Sequence, residues 1–180
     1  MRLGATLARN PAVLAGLLFL VLVVASIVQD PILLSPRFLT GAVSVAVPLV
    51  IGAMAVTPAI LSGNGGMDLS VGPLMGFVNV LMVVALMPAG LEAPWLAVPI
   101  LLAVGMAVGA VNGWLVAVVR LQPIVATLGT YLVLMGANLW LLPTPIGPVP
   151  QWLAKLSRPI LGVPGPLVFV VGPVLVWFLL

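Results

Sequence analysis

The sequence contains no cysteine and no histidine, and charged residues make up 5% of its 180 positions. Without these two residue types the chain lacks disulfides, thiol nucleophiles and the commonest transition-metal ligands, so we expect no metal and no cofactor. The few basic residues form no cluster of the kind that binds polyanions, which argues against nucleic acid as a partner. Soluble domains carry roughly 25% charged residues, so a chain this poor in charge is predicted to lie in a membrane.

Hydrophobic residues fill 63% of the sequence, and six basic and three acidic residues interrupt them. The uncharged runs are long enough for the about 20 residues that a helix needs to cross a bilayer. Runs such as LLFLVLVVA lack the period-two alternation of a barrel strand. We therefore predict an all-α polytopic membrane bundle, forming one transmembrane domain over residues 1–180, with six spans at 11–28, 39–62, 69–87, 94–119, 123–142 and 163–180.

The basic residues before the first predicted span indicate how the chain is oriented in the membrane. Arg2 and Arg9 precede it, and basic residues beside a first span favour the cytoplasmic side. The uncharged stretch from Asn10 to Gln29 is long for the core of a cleaved signal peptide, so we expect this span to be retained. The amino terminus is thus predicted to be cytoplasmic.

The stretch GNGGMDLSVG, residues 63–72, places four glycines and a carboxylate between two predicted spans. Two roles stay open for Asp68. It can cap the following helix by accepting hydrogen bonds from the first-turn backbone, where the positive helix end favours its charge. If the stretch lies at membrane depth, an ionisable group is instead expected to face the bundle interior or a water-filled path.

Asparagines and glycines are the other polar or small residues of interest inside the spans. Asn79, Asn112 and Asn138 each fall within a predicted span, where an amide either bonds to another helix or contacts a polar solute. Glycines at every fourth position from Gly105 to Gly113 predict a close-packing seam. The sequence has no paired carboxylates and no phosphate-binding loop with its lysine, so we do not expect an enzyme.

The longest predicted loop, residues 143–165, is rich in proline and carries Trp152, Lys155 and Arg158. Proline prevents a continuous helix there. Two interpretations stay open: a stiff connector with Trp152 at the membrane interface, or an outward surface on which a partner docks.

GGMDLSVG, together with the later stretch GAVNGWLVAVVRLQPIVATLGTYLVLMG, resembles the membrane permease of bacterial ABC importers for ribose and other simple sugars. In that family a Gly-Gly-apolar-Asp-Leu-Ser-apolar-Gly element precedes an Asn-Gly element, a basic residue, a proline and a Thr-Leu-Gly run. Pro73 departs from the pattern, which usually has a small residue at that position. The matching residues are Gly65, Gly66, Asp68, Leu69, Ser70, Gly72, Asn112, Gly113, Arg120, Pro123, Thr127, Leu128 and Gly129.

The resemblance implies a transport subunit of the bacterial cytoplasmic membrane that works by alternating access. Its implied partners are cytoplasmic ATPase subunits, an extracytoplasmic sugar-binding protein and a second permease copy, all within or beside the lipid bilayer. It favours docking of the binding protein at Trp152, Lys155 and Arg158. The candidate residues of the translocation path are Gly65, Gly66, Asp68, Ser70, Gly72, Asn79, Asn112 and Asn138.

Permeases of this type are longer, so the resemblance also implies a chain that is incomplete at its carboxyl terminus. For Asp68 it favours fixing the turn that shapes the path, with direct sugar contact as the second role. Two other readings stay open. The chain could be a non-transporting remnant or assembly partner, or it could be a self-contained small channel or exporter.

Overall fold

The computed structural model describes residues 11–62, 66–144, 146–156, 158 and 165–179. Gly65 of the predicted path, and Arg2 and Arg9 of the orientation argument, lie outside the described residues. The chain divides into two compact units, residues 1–45 and 46–180, and the division falls inside a helix. The single domain predicted for residues 1–180 stays a prediction.

The regular elements of the described residues are helical. Three stretches, Phe38–Leu61, Pro94–Ala117 and Pro123–Leu141, are long and apolar enough to cross a membrane, and shorter apolar helices accompany them. The predicted all-α membrane bundle is confirmed, and each of the six predicted spans coincides with a helix to within a few residues. The helices are α1 Pro11–Gln29, a 3-10 turn Pro31–Leu34, α2 Pro36–Leu61, α3 Val71–Leu81 with a π-helical turn Met82–Leu86, α4 Pro94–Ala117, α5 Pro123–Leu141, α6 Gln151–Leu156 and α7 Gly165–Leu179.

In the first unit, the chain turns after α1 at Asp30. The Asp30 side chain accepts a hydrogen bond of 3.1 Å from the backbone N–H of Ile32 and so caps the 3-10 turn. Pro31 follows the cap directly, at a position where its missing N–H costs nothing. The local sequence therefore defines this turn without help from distant residues.

Prolines and one strained arginine set the helix boundaries in the second unit. Pro94 and Pro123 are the first residues of α4 and α5, the position that proline's fixed φ suits. Beyond α4, Arg120 adopts a left-handed backbone with φ of 63°, and Leu121 N–H donates 3.1 Å to the Leu115 carbonyl. A residue in this left-handed conformation follows the end of many helices, and glycine is the usual one there because it has no Cβ.

Within the second unit, α3 packs against both α5 and α4. A small buried cluster of Met82, Leu86 and Ala97 joins the end of α3 to the start of α4. Trp152 of α6 packs against this cluster, and its indole N–H donates 2.7 Å to the Glu92 carbonyl. The short helix α6 is thereby fixed to the loop between α3 and α4.

Among the described residues, the glycines of α4 do not form the close-packing seam that the sequence predicts. A Cβ atom added at Gly105, Gly109 or Gly113 would meet nothing within 4 Å. No helix of the described chain therefore packs closely on this face, although glycine spacing of this kind permits such packing.

Candidate functional site

The non-helical stretch 66–70 runs alongside the first half of α5. The Thr127 hydroxyl lies 3.1 Å from the Met67 carbonyl, which shares its proton with the Pro123 carbonyl of the same helix at 2.9 Å, and the Asn138 amide donates 3.1 Å to the Pro73 carbonyl. Met67 pairs with Thr127 and the later Pro73 pairs with the later Asn138, so residue numbers increase in the same direction along both segments. The stretch and α3 therefore run parallel to α5. Thr127 and Asn138 are about 16 Å apart along the helix axis at 1.5 Å per residue. The start of α3 thus lies partway along α5, well past the level at which α5 begins.

This geometry makes α3 a half-helix that follows extended backbone within the depth of its neighbour. Non-helical backbone at membrane depth is stable where it is buried in protein or lines a water-filled cavity. Discontinuous helices of this kind form the binding sites of many transporters. The depth of Asp68, which the sequence left open, is therefore beside the first turns of α5.

Four side chains form a continuous polar chain that joins the stretch to α4 and α5. The Thr130 hydroxyl donates 2.5 Å to Asn112 Oδ1, and Asn112 Nδ2 donates 2.9 Å to Ser70 Oγ. The Ser70 hydroxyl donates 2.6 Å to Asp68 Oδ1, which also accepts 2.8 Å from the Ser70 backbone N–H. We call Asp68, Ser70, Asn112 and Thr130 the polar chain.

The chemistry of each residue type explains its place in the polar chain. An asparagine amide donates and accepts at once, and a serine hydroxyl does the same, so both can stand between two partners. Ser70 and Asn112 are buried, and each of their side-chain polar atoms has a partner in the contacts above. A buried network in which each polar group has a partner stiffens the structure and favours one arrangement of its helices.

Asp68 does not cap α3 itself, which was one of the two roles predicted for it. Its carboxylate instead binds the residue that stands at the cap position. The cap residue of α3 is Ser70, and the carboxylate bonds to the backbone and hydroxyl of Ser70 itself. Such a contact, two residues along the chain, is an Asx turn. Pro73, at the third helical position, brings no N–H and so removes one of the donors that a cap would satisfy.

The structure brings together some of the sequence-predicted path residues and separates others. Asp68, Ser70 and Asn112 meet in the polar chain, and Gly66 is buried in the same stretch. Gly72 and Asn79 are exposed on α3. Asn138 bonds to Pro73, further along α5, and does not join the polar chain.

The residues predicted for docking occupy the other end of the second unit, with α6 and the loop between α3 and α4. Trp152 is half-buried and uses its indole N–H within the chain. Trp152 thus holds α6 in place, while Lys155 on α6 and Arg158 just beyond it are exposed.

Sequence reasoning missed Thr130 and the carbonyl of Met67. Thr130 follows Thr127 by three residues, which places both hydroxyls on one face of α5. That spacing was the available signal, since a pair of threonines on one face of a span can bond to a neighbouring segment. The Met67 carbonyl has no sequence signal, because every residue carries the same backbone group.

The chain belongs to the protein family described as branched-chain amino acid transport system permease component, whose model matches residues 38–179. This confirms the predicted class of transport permease subunit, in a family of inner-membrane proteins. No solved structure matches the chain significantly.

Two curated relatives of the chain are also named as permeases. The chain is 33% identical over 165 residues to the probable ABC transporter permease protein y4mJ of Sinorhizobium fredii, covering 89% of this chain and 47% of that protein. It is 37% identical over 153 residues to the autoinducer 2 import system permease protein LsrC of Escherichia coli O157:H7, covering 84% and 44%. The chain therefore spans less than half the length of these relatives.

Proposed function

We propose that this chain forms part of the translocation path of an ABC importer for a simple sugar, ribose being the first candidate. The proposal rests mainly on the interrupted span formed by the non-helical residues 66–70 and α3, which we call the broken span. Residues 66–70 cross part of the depth of α5 without helical hydrogen bonds, and the polar chain holds them there. Such a stretch leaves polar groups available where a continuous helix would leave none.

The polar chain serves this function because it holds α3, α4 and α5 in one arrangement beside the path. It ties the start of α3 to α4 and α5 through hydrogen bonds whose partners are far apart in sequence, as in the 42 residues that separate Ser70 from Asn112. Alternating access requires packed units that move as wholes against each other. Asp68 fixes the turn in front of α3, and its contact with solute is the second role.

The partners follow from the proposed class. Cytoplasmic ATPase subunits supply the energy, an extracytoplasmic binding protein delivers the solute, and a second permease copy completes the path. With a cytoplasmic amino terminus, the Asp68 stretch begins on the inner side and α6 lies outside. The exposed Lys155 and Arg158 then offer positive charge to the binding protein.

Two variants of Asp68 test the proposal in the complete transporter. Asp68→Ala removes the acceptor, so we expect energised uptake to fall more than membrane insertion does. Asp68→Asn retains an oxygen for Ser70 and removes the charge, so it should retain most uptake if the turn is what matters. Equal losses of uptake and insertion for Asp68→Ala would reduce the residue to a folding role.

The solute is tested by competition. The LsrC relatives are named for autoinducer 2 and the family for branched-chain amino acids. Uptake of labelled D-ribose is therefore measured against excess autoinducer 2 and excess L-leucine. We expect ribose uptake, with competition from other hydroxylated solutes and none from leucine. A transporter that carries leucine alone would refute the sugar assignment.

Sidedness is tested by cysteine substitution, since the chain has no native cysteine. Lys155→Cys and Arg158→Cys are expected to react with an impermeant thiol reagent added outside the cell. Reaction from the cytoplasmic side alone would reverse the proposed orientation.

A further inference from the structure

The side chain of Asn138 is bonded at one of its two polar atoms. Its Nδ2 donates 3.1 Å to the Pro73 carbonyl in the first turn of α3. Its Oδ1 is buried and has no hydrogen-bond donor among the described residues. A buried acceptor of this kind has lost water and gained no partner, which is unfavourable and uncommon in folded proteins.

The surroundings fix the amide in this orientation. Exchanging its two polar atoms would set Oδ1 against the carbonyl oxygen of Pro73, and two acceptors repel. Gly76 gives the amide its room, because a Cβ added there would be 3.0 Å from Asn138 Nδ2. The amide therefore lies directly on the backbone of α3, and its unpaired oxygen is a built feature of the α3–α5 contact.

The other two asparagines of the predicted path lack this feature. Asn112 donates to Ser70 and accepts from Thr130, so both of its polar atoms are used. Asn79 is exposed, so its amide is not cut off from its surroundings by the protein. Of the three, Asn138 alone combines burial of an acceptor with the lack of a donor within the described chain.

We propose that Asn138 Oδ1 accepts a hydrogen bond from a hydroxyl group of the transported solute and so determines specificity in the path. The inference rests on the proposed function and names the solute chemistry at one position. The oxygen is covered in this structure, so the contact belongs to a conformation in which α3 and α5 separate beside Gly76. A site that bonds a hydroxyl discriminates strongly against the analogue that lacks it.

The experiment combines sugar analogues with a substitution in the complete transporter. Initial uptake is measured for D-ribose, L-arabinose and D-galactose, and then for the singly deoxygenated analogues of whichever sugar is carried. In the wild type, we expect removal of one particular hydroxyl to lower uptake about 5- to 100-fold. In Asn138→Leu the same removal should lower uptake by a factor about 5- to 100-fold smaller than it does in the wild type when the binding protein does not discriminate, and by a clearly smaller factor than in the wild type when it does. Comparing the two ratios cancels the selectivity of the binding protein, which is common to both.

Gln29→Leu, which removes an exposed side-chain amide at the end of α1, is the control, and it should keep the wild-type profile of analogues. If Asn138→Leu lowers uptake of every analogue in equal proportion, the oxygen has a structural role and the inference is overturned. If Asn138→Leu does not insert, Gly76→Ala replaces it, since the added methyl displaces the amide and should abolish discrimination at the same hydroxyl; unchanged discrimination overturns the inference. A wild type that carries none of the three sugars refutes the proposed function first, and with it this inference.

Discussion

Replacing Asn112 by leucine tests whether the polar chain stabilises the broken span. The substitution removes the donor to Ser70 and the acceptor for Thr130 while keeping a side chain of similar size. Hydrogen bonds between membrane helices contribute about 0.6 kcal/mol on average and about 1.7 kcal/mol at most. The Thr130 hydroxyl has a second acceptor, the Ala126 carbonyl at 3.3 Å, which offsets part of its loss. We therefore expect Asn112→Leu to lower the free energy of unfolding by about 1–2 kcal/mol.

Asn112→Asp is the sharper variant, because it keeps the acceptor for Thr130 and loses the donor to Ser70. The Ser70 proton is already given to Asp68, so a second carboxylate would meet an oxygen that has no hydrogen to offer. A buried charge without compensation costs about 3–5 kcal/mol, so this loss should exceed that of the leucine variant.

The assay is reversible unfolding in mixed micelles, followed by circular dichroism. Asn79→Leu, an exposed asparagine on α3, is the control and should stay within about 0.5 kcal/mol of the wild type. A double-mutant cycle of Ser70→Ala with Asn112→Leu should show a coupling near 0.6 kcal/mol or above. An Asn112→Leu protein as stable as the Asn79→Leu control would refute the stabilising role of the polar chain.

Three further substitutions each probe one contact. Thr127→Val removes the hydroxyl that bonds to Met67, and we expect faster hydrogen exchange in residues 66–70 with a loss of about 0.6 kcal/mol; unchanged exchange would mean that the hydroxyl serves its own helix alone. Arg120→Gly relieves the left-handed backbone and should stabilise the protein by about 1 kcal/mol in the same unfolding assay, whereas destabilisation would reveal a contact of the guanidinium. Trp152→Phe keeps the ring and loses the hydrogen bond to Glu92, so protease sensitivity near α6 should rise modestly, and far less than in Trp152→Ala.

The candidate site could be predicted in part because its residue types are rare in an apolar chain. Asp68 and Asn112 are polar groups within or beside predicted spans, where each must find a partner, and the structure pairs both with Ser70. Thr130 was not predicted, although its spacing from Thr127 was a signal, because a threonine in a span also bonds to its own helix and the spacing does not show which of the two roles applies. Which asparagine carries an unpaired oxygen could not be read either, since that depends on the side chains opposite it.

The sequence by itself determined the class of protein and the extent of its helices. Long uncharged runs must form helices in a bilayer, because a helix satisfies its own backbone there, and prolines at helix starts define the boundaries closely. Hydropathy indicates how long a span is. It does not indicate how far along the neighbouring helix, α5, the helix α3 begins after the non-helical residues 66–70. That position was decided by the tertiary structure, through contacts such as Thr127 with Met67 and Asn138 with Pro73. These contacts join residues 60 and 65 positions apart, and no local pattern encodes them.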